Sequence, residues 1–427
     1  MFRFTNLVVL EMTRDCNLHC SYCFMLEKHQ HRGERIDFDR YCRIVDELVR
    51  QKIVCCTSDR SLTFILHGGE ATLLGAEYLE KCIGYADSAF RKAGFRYNIS
   101  IQTNGTLLTD DMFRVFEKYH MSVGVSFDGV GDANRQRFLS SSRIEYFTDL
   151  FERAKQYPHV NMGVLATVTR QTVHSIPETQ RMIVDRLGFH SYKMNYVEDM
   201  EHPYDSKIEV SARKYFRYVT RPALEHFLEC GEIVESGTRD LFEMCLQDIV
   251  SYHSNCVRTG CGGRFCGTAT GMIGIRPDGS AQVCDRFSRE FEELTVTRDV
   301  TQMDFLGMHQ LGFAVMMAQE KSRVLLENGC DSCRAQYVCS NGCMAFFYSK
   351  FGRMGLEKSL ICDDQRKAYS WVEKNLVSIV ETMARRRVSV DMYWDIYDFR
   401  PEVRTYLKSR GLELYVSGER FWSRRTI

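Results

Sequence analysis

Cys16, Cys20 and Cys23 stand in the order CX3CX2C within Cys16-Asn-Leu-His-Cys20-Ser-Tyr-Cys23. Three thiolates so close in sequence can close around one inorganic centre, and the number three is informative. A structural zinc or a structural [4Fe-4S] centre takes four protein ligands, whereas three leave one metal position open to a substrate or cofactor. A zinc site that borrows a distant fourth ligand, or three unrelated thiols, remain alternatives on spacing alone. Further along, Gly68-Gly69-Glu70 offers a backbone that a ligand can approach closely and a carboxylate that accepts from an ammonium. The C-terminal half carries a second set: Cys266, Gly279, Cys284, then Cys330-X2-Cys333-X5-Cys339-X3-Cys343, then Cys362.

The elements that must hold these residues alternate between residues 5 and 197. The spacing predicts strands over 7–12, 62–66, 97–102, 122–127, 161–168 and 191–197. Phe38, Tyr41, Cys42, Val45, Leu48 and Val49 recur at helical spacing, as do Leu79, Cys82, Ile83 and Ala86. Thr109-Asp110-Asp111 reads as a helix N-cap, and further helices fall near 144–156 and 176–187. Six β/α units imply a parallel sheet with right-handed crossovers and working residues at the C-terminal strand ends. Six units fall short of a closed eight-stranded barrel, so the expected fold is α/β, a partial (β/α)6 TIM-like barrel. The expected domains are the barrel over 1–205, a helical connector over 206–254, a small Cys-rich domain over 255–365, and a C-terminal helix with an aromatic tail over 366–427, the helix spanning about 364–384.

The chain of 427 residues has 56 basic and 56 acidic side chains, which gives no long-range field for nucleic acid or anionic lipid. Its longest apolar run near the N-terminus is the four residues 7–10, short of the roughly 7 to 15 of a signal peptide and the roughly 18 to 20 of a membrane span. The expectation is a cytoplasmic protein without a membrane or nucleic-acid partner, in which 18 cysteines are ligands, reactive thiols or core filler.

The triplet, with Phe24 after its last Cys and Gly-Gly-Glu one β/α unit later, resembles the radical S-adenosylmethionine (SAM) superfamily. The resemblance implies a [4Fe-4S] cluster on Cys16, Cys20 and Cys23, SAM on its open iron, and contact of the Gly68-Gly69-Glu70 turn with the SAM amino group. It also implies reductive cleavage of SAM to a 5′-deoxyadenosyl radical that takes a hydrogen from an unactivated carbon. Gln102 and Ser126 stand where the family brings Gln and Ser side chains to the SAM ribose, although polar turns such as Asn104-Gly105 and Asp128-Gly129 are common after any strand. Arg135 and Arg137 both qualify for the SAM carboxylate, and Arg137 is taken as the candidate. The second set resembles the SPASM domain, which holds two auxiliary [4Fe-4S] clusters. That resemblance implies Cys261, Cys266, Cys284 and Cys343 for the first and Cys330, Cys333, Cys339 and Cys362 for the second, with Cys256 a competitor for the place of Cys261. Cys42, Cys55, Cys56, Cys82, Cys230, Cys245 and Cys256 are left as ordinary thiols.

Asp285 follows Cys284 where anaerobic sulfatase maturases keep a catalytic Asp, which makes it the candidate general base; an acceptor behind the ligands or a partner of Arg286 is the competing role. The resemblance to those maturases spans residues 5–365, but Met25, His67 and Ala71 replace the usual Tyr, Gln and Pro. With His67 counted among the catalytic candidates, this altered lining favours a maturase that crosslinks a ribosomally made precursor peptide through a C–C, ether or thioether bond. Oxidation of Cys or Ser to formylglycine is the alternative. The sequence begins at the first barrel strand, so the peptide leader would be held by a separate leader-binding protein, by the barrel and SPASM surfaces, or by the tail, where residues 412–416 read as a strand open to an extended peptide. A flavodoxin- or ferredoxin-type reductant and an anaerobic cytoplasm complete the expectation.

Overall fold

The computed structural model describes residues 6–25, 33–55, 60–137, 144–189, 191–199, 206–251, 271–287, 294–302, 322–339, 342–352, 358–391 and 399–426, with isolated positions 315 and 319. Strands β1 (Leu7–Thr13), β2 (Ser61–Gly68), β3 (Arg96–Thr103), β4 (Ser122–Ser126), β5 (Asn161–Val168) and β6 (Tyr192–Tyr196) pair in parallel, each with the next. Between them run α1 (Phe38–Cys55), α2 (Ala76–Lys92), α3 (Asp110–Lys118), α4 (Ile144–Ala154) and α5 (Ile176–Arg181). The chain thus forms the expected α/β partial barrel of six parallel strands.

Local chemistry accounts for these elements. Tyr41, Val45 and Leu48 of α1 and Leu79, Ile83 and Ala86 of α2 are the buried members of their helical periods. They close over Phe64 of β2, whose ring meets Phe90 edge-on at 5.5 Å. Burying each such side chain contributes about 1.5–3 kcal/mol. Thr109 caps α3 as expected, its side chain accepting from the Met112 amide.

Three features differ from the sequence reading. β7 (Met272–Ile275) pairs in parallel with β1 on the side away from β2, and β8 (Ala281–Gln282) and β9 (Thr295–Thr297) follow antiparallel, so the sheet runs β6-β5-β4-β3-β2-β1-β7-β8-β9. The Cys-rich part is therefore continuous with the barrel sheet. A four-residue apolar run is too short to show a period, which is why β7 was not foreseen. The helix expected near 176–187 turns π-helical over Met182–Arg186. The helix expected over 364–384 is two: α10 (Cys362–Lys374) and α11 (Leu376–Arg386). They part at Asn375, whose side-chain amide donates to Trp371 O at 2.8 Å, the local competition that makes Asn a poor interior helix residue.

Beyond the barrel, α6 (Ala212–Tyr215), α7 (Arg221–Cys230) and α8 (Ser236–Val250) precede the Cys-rich part, and α9 (Met344–Phe351) lies within it. The tail adds β10 (Val390–Asp391), α12 (Pro401–Ser409), β11 (Leu412–Ser417) and β12 (Arg420–Arg425). Connector and tail share one core, in which Leu224, Phe242 and Leu246 pack with Ile379, Val380, Leu412 and Phe421. The strand foreseen at 412–416 exists as β11, at the edge of a sheet ordered β10-β12-β11. No helix among the described residues is long and apolar enough to cross a membrane.

Candidate active site

The cysteine loop leaves the end of β1 and is clamped by the end of β2. Gly69 N donates to Thr13 O at 2.8 Å and Glu70 N to Asp15 O at 2.8 Å. A Cβ on Gly68 would stand 2.2 Å from Thr13 O, and one on Gly69 2.1 Å from Asp15 O. The glycines are thus needed for close approach, but the group approached is the backbone that carries the cysteines rather than a ligand alone. Cys23 N donates to Cys20 O at 3.2 Å, which folds the triplet into a tight turn, and all three thiols are half-buried.

Glu70 is buried at the centre of this corner. Its Oε1 accepts from Thr72 N at 3.1 Å, Thr72 Oγ1 at 2.6 Å and Thr103 Oγ1 at 2.7 Å, and its Oε2 accepts from Asn104 N at 2.6 Å. An ionised carboxylate has about four lone-pair sites, two on each oxygen, so Oε2 keeps capacity for an ammonium. Asn104 binds back to the cysteine loop: its Nδ2 donates to Asn17 Oδ1 at 2.8 Å and lies 4.0 Å from Cys16 Sγ. Sequence reasoning singled out Gln102 in this segment and passed over Asn104, whose role depends on loops 87 residues apart.

The structure brings Gln102 and Ser126 together, Nε2 donating to Oγ at 3.0 Å across β3 and β4. It also separates the two arginines. Arg135 is exposed and pairs with Asp132 at 2.8 Å, while Arg137 is only 2% exposed and donates to Asn104 O at 3.2 Å. Arg137 lies within electrostatic reach of Tyr22, Asp128, Cys20 and Glu70. Tyr22, inside the triplet, donates to Asp128 Oδ2 at 2.5 Å. Burial pushes the Tyr22 hydroxyl well above its ordinary range and lifts the Asp128 carboxyl, against the opposing pull of Arg137.

The C-terminal half reaches the same mouth. Gly274 of β7 has no Cβ where Asp285 Cα would lie 2.7 Å away, so the Cys284–Asp285 turn sits down on the strand beside β1. The Cys284 thiol donates to Asp285 Oδ1 at 3.2 Å. Arg286 makes its ion pair with Glu198, just beyond β6, at 2.7 Å. His67 stands opposite Glu11 in the β1–β2 register, its ring 6.3 Å from that of Phe24. Met25 and Ala71 are buried.

Cys330, Cys333, Cys339 and Cys362 line one cavity together with Lys358 and Arg366. Burial pushes the Cys330 and Cys362 thiols up, and the two cations pull them back. Among the described residues no three His, Cys, Asp or Glu side chains converge as a single ion requires; the four cysteines instead line a shared cavity, a donor set that fits a sulfur-ligated cluster. Cys343 is the N-cap of α9, where the helix end favours a thiolate. Cys256, Cys261 and Cys266 lie outside the described residues. Cys82 and Cys245 are fully buried, and burial pushes the Cys82 thiol up to about 12, as befits core filler.

Residues 10–183 match the family model of the radical SAM superfamily. The cysteine-type anaerobic sulfatase-maturating enzyme of Clostridium perfringens (strain 13 / Type A) is 21% identical over 399 residues, covering 88% of this chain and 99% of that one. The serine-type enzyme of Bacteroides thetaiotaomicron is 33% identical over 114 residues, 27% of either chain. Among solved structures, native anSMEcpe with bound AdoMet superposes with a TM-score of 0.67 at 19% identity, covering 87% of this chain and 98% of that one. Streptococcus suis SuiB bound to precursor peptide SuiA superposes with a TM-score of 0.57 at 12% identity, covering 84% and 76%. At these identities the structural likeness speaks for the fold. The cysteine triplet, the glycine pair and Glu70 all fall inside the matched residues; residues 10–183 are thus similar to the radical SAM superfamily, and the chain is a radical SAM enzyme.

Proposed function

We propose that the chain oxidises a Cys or Ser side chain of a peptide substrate to formylglycine, in the manner of the anaerobic sulfatase maturases. The observation that carries this reading is the extent of the likeness to the C. perfringens enzyme, 88% of this chain and 99% of the relative. It runs beyond the radical SAM domain and through the cysteine-bearing C-terminal half. The order of the two readings taken from sequence alone is thereby reversed.

When bound, SAM and three [4Fe-4S] clusters would supply a carbon-centred radical and a sink for the substrate's second electron. Cys16, Cys20 and Cys23 would hold the first cluster, Cys261, Cys266, Cys284 and Cys343 the second, and Cys330, Cys333, Cys339 and Cys362 the third. Glu70 Oε2 would accept from the SAM ammonium, Arg137 would pair with its carboxylate, and the Gln102–Ser126 pair would receive the ribose. Asp285 takes the proton that the substrate releases as it is oxidised. His67, Phe24 and Met25 wall the substrate space and keep water from the radical.

A second reading, oxidative crosslinking of a precursor peptide, is favoured by the buried Met25 and Ala71 and by His67 beside Phe24. Each changes the lining from the sulfatase-maturase pattern. The peptide's leader would then dock on the barrel and SPASM surfaces, on the β11 edge or on a separate leader-binding protein, and either reading needs a flavodoxin- or ferredoxin-type reductant in an anaerobic cytoplasm. Mass spectrometry of the modified peptide separates the two. A hydrazide-reactive aldehyde at one Cys or Ser supports the first reading, and loss of two hydrogens with no aldehyde refutes it in favour of the second.

A further inference from the structure

One guanidinium joins three parts of the molecule. Arg286 Nη1 donates to Glu198 Oε2 at 2.7 Å and to Cys343 Sγ at 3.4 Å. Its central carbon lies 5.3 Å from the centre of the Phe24 ring, next to Cys23 of the triplet. Glu198 lies just beyond β6, Phe24 in the loop after β1, and Cys343 at the start of α9. Only 22% of the Arg286 side chain and 13% of the Glu198 side chain are exposed, so the pair works where water screens little.

We infer that Arg286, oriented by Glu198, is a positioning residue that hydrogen-bonds the Cys343 thiolate in the loaded enzyme and holds the reduction potential of the cluster ligated there above its unassisted value. The inference rests on the auxiliary-cluster reading above. A cluster held by thiolates gains negative charge on reduction, and a cationic donor on one of its sulfurs stabilises the reduced form more than the oxidised one. Arginine suits the task because its planar fork can serve a carboxylate and a sulfur at once and stays charged in every state. Glu198 holds the fork in place through its 2.7 Å contact with Nη1. The arrangement also ties the height of α9 to the barrel mouth, so the distance between the two cluster regions is set by a contact rather than left to a loop.

The test is an EPR-monitored redox titration of the full chain, reconstituted anaerobically, with iron counted in each sample. Cys343→Ser identifies which signal belongs to the cluster in question. Arg286→Gln is expected to retain the wild-type iron content and to move that one signal to lower potential. Arg286→Lys, which keeps the charge and loses the fork, is expected to fall between Gln and wild type, and it serves alone if the Gln variant does not fold. An unchanged midpoint in Arg286→Gln, or in Arg286→Lys where the Gln variant is lost, overturns the inference. A wild-type protein that takes up only about four irons, the content of one cubane, overturns the auxiliary-cluster reading and this inference with it, whereas roughly 12 irons with unmoved potentials overturns this inference alone.

Discussion

At the scale of single residues, the proposed site divides into thiols that would hold a cofactor and side chains that hold the loop carrying them. Replacing Cys16, Cys20 or Cys23 by Ala removes one of the three proposed ligands, and the expected result is loss of 5′-deoxyadenosine release from SAM; release at wild-type rates from any of the three variants would show that the triplet does not carry the cofactor. Asp285→Asn keeps shape and hydrogen bonding and removes the base, so the variant is expected to release 5′-deoxyadenosine and yield no oxidised peptide. Product formed at the wild-type rate would take Asp285 out of that role. The sequence showed the thiols because their spacing is local. It did not show Asn104, Tyr22–Asp128 or Arg286–Glu198, since each is a contact between strand ends 87, 106 and 88 residues apart. It also offered both Arg135 and Arg137 for one role, and burial sets Arg137 apart.

At the scale of elements, the decisive joint is the corner where β2 meets the loop after β1. A Cβ on Gly69 would stand 2.1 Å from Asp15 O, a contact with backbone that cannot rotate away. Gly69→Ala is therefore expected to cost about 3 kcal/mol, the upper end of overpacking penalties, and to lower SAM affinity as the cysteine loop shifts. Gly163→Ala in β5 is the control: nothing lies within 4 Å of its Cβ position, and a strand Ala in place of Gly is neutral to slightly stabilising. Thermal unfolding of the two variants measures the difference, and equal melting temperatures would contradict the clamp. The six barrel strands and their helices were legible because each repeats a period over many residues. The joining of β7 to β1 was not, for Met272–Ile275 is short and buried on both faces, and neither was the break at Asn375, where a side chain competes with the backbone.

At the scale of the whole molecule, a barrel sheet that continues through β7 into β8 and β9 places the Cys284–Asp285 turn beside the strand that leads to the cysteine triplet. A second core, shared by connector and tail, backs the Cys-rich part from the other side, where Ala335 and Val338 pack with α8 and α10 residues. On the proposed reading, such a molecule would present one side chain of a peptide to a radical and draw its second electron toward the C-terminal half. The most direct test supplies the Cp18Cys peptide, known as a ligand of anSMEcpe, deuterated at the β-carbon of its Cys, to the reconstituted enzyme with SAM and dithionite. Hydrogen abstraction from that carbon predicts 5′-deoxyadenosine carrying one deuterium, together with an aldehyde at that Cys. Unlabelled 5′-deoxyadenosine beside a peptide that keeps all its deuterium would contradict it.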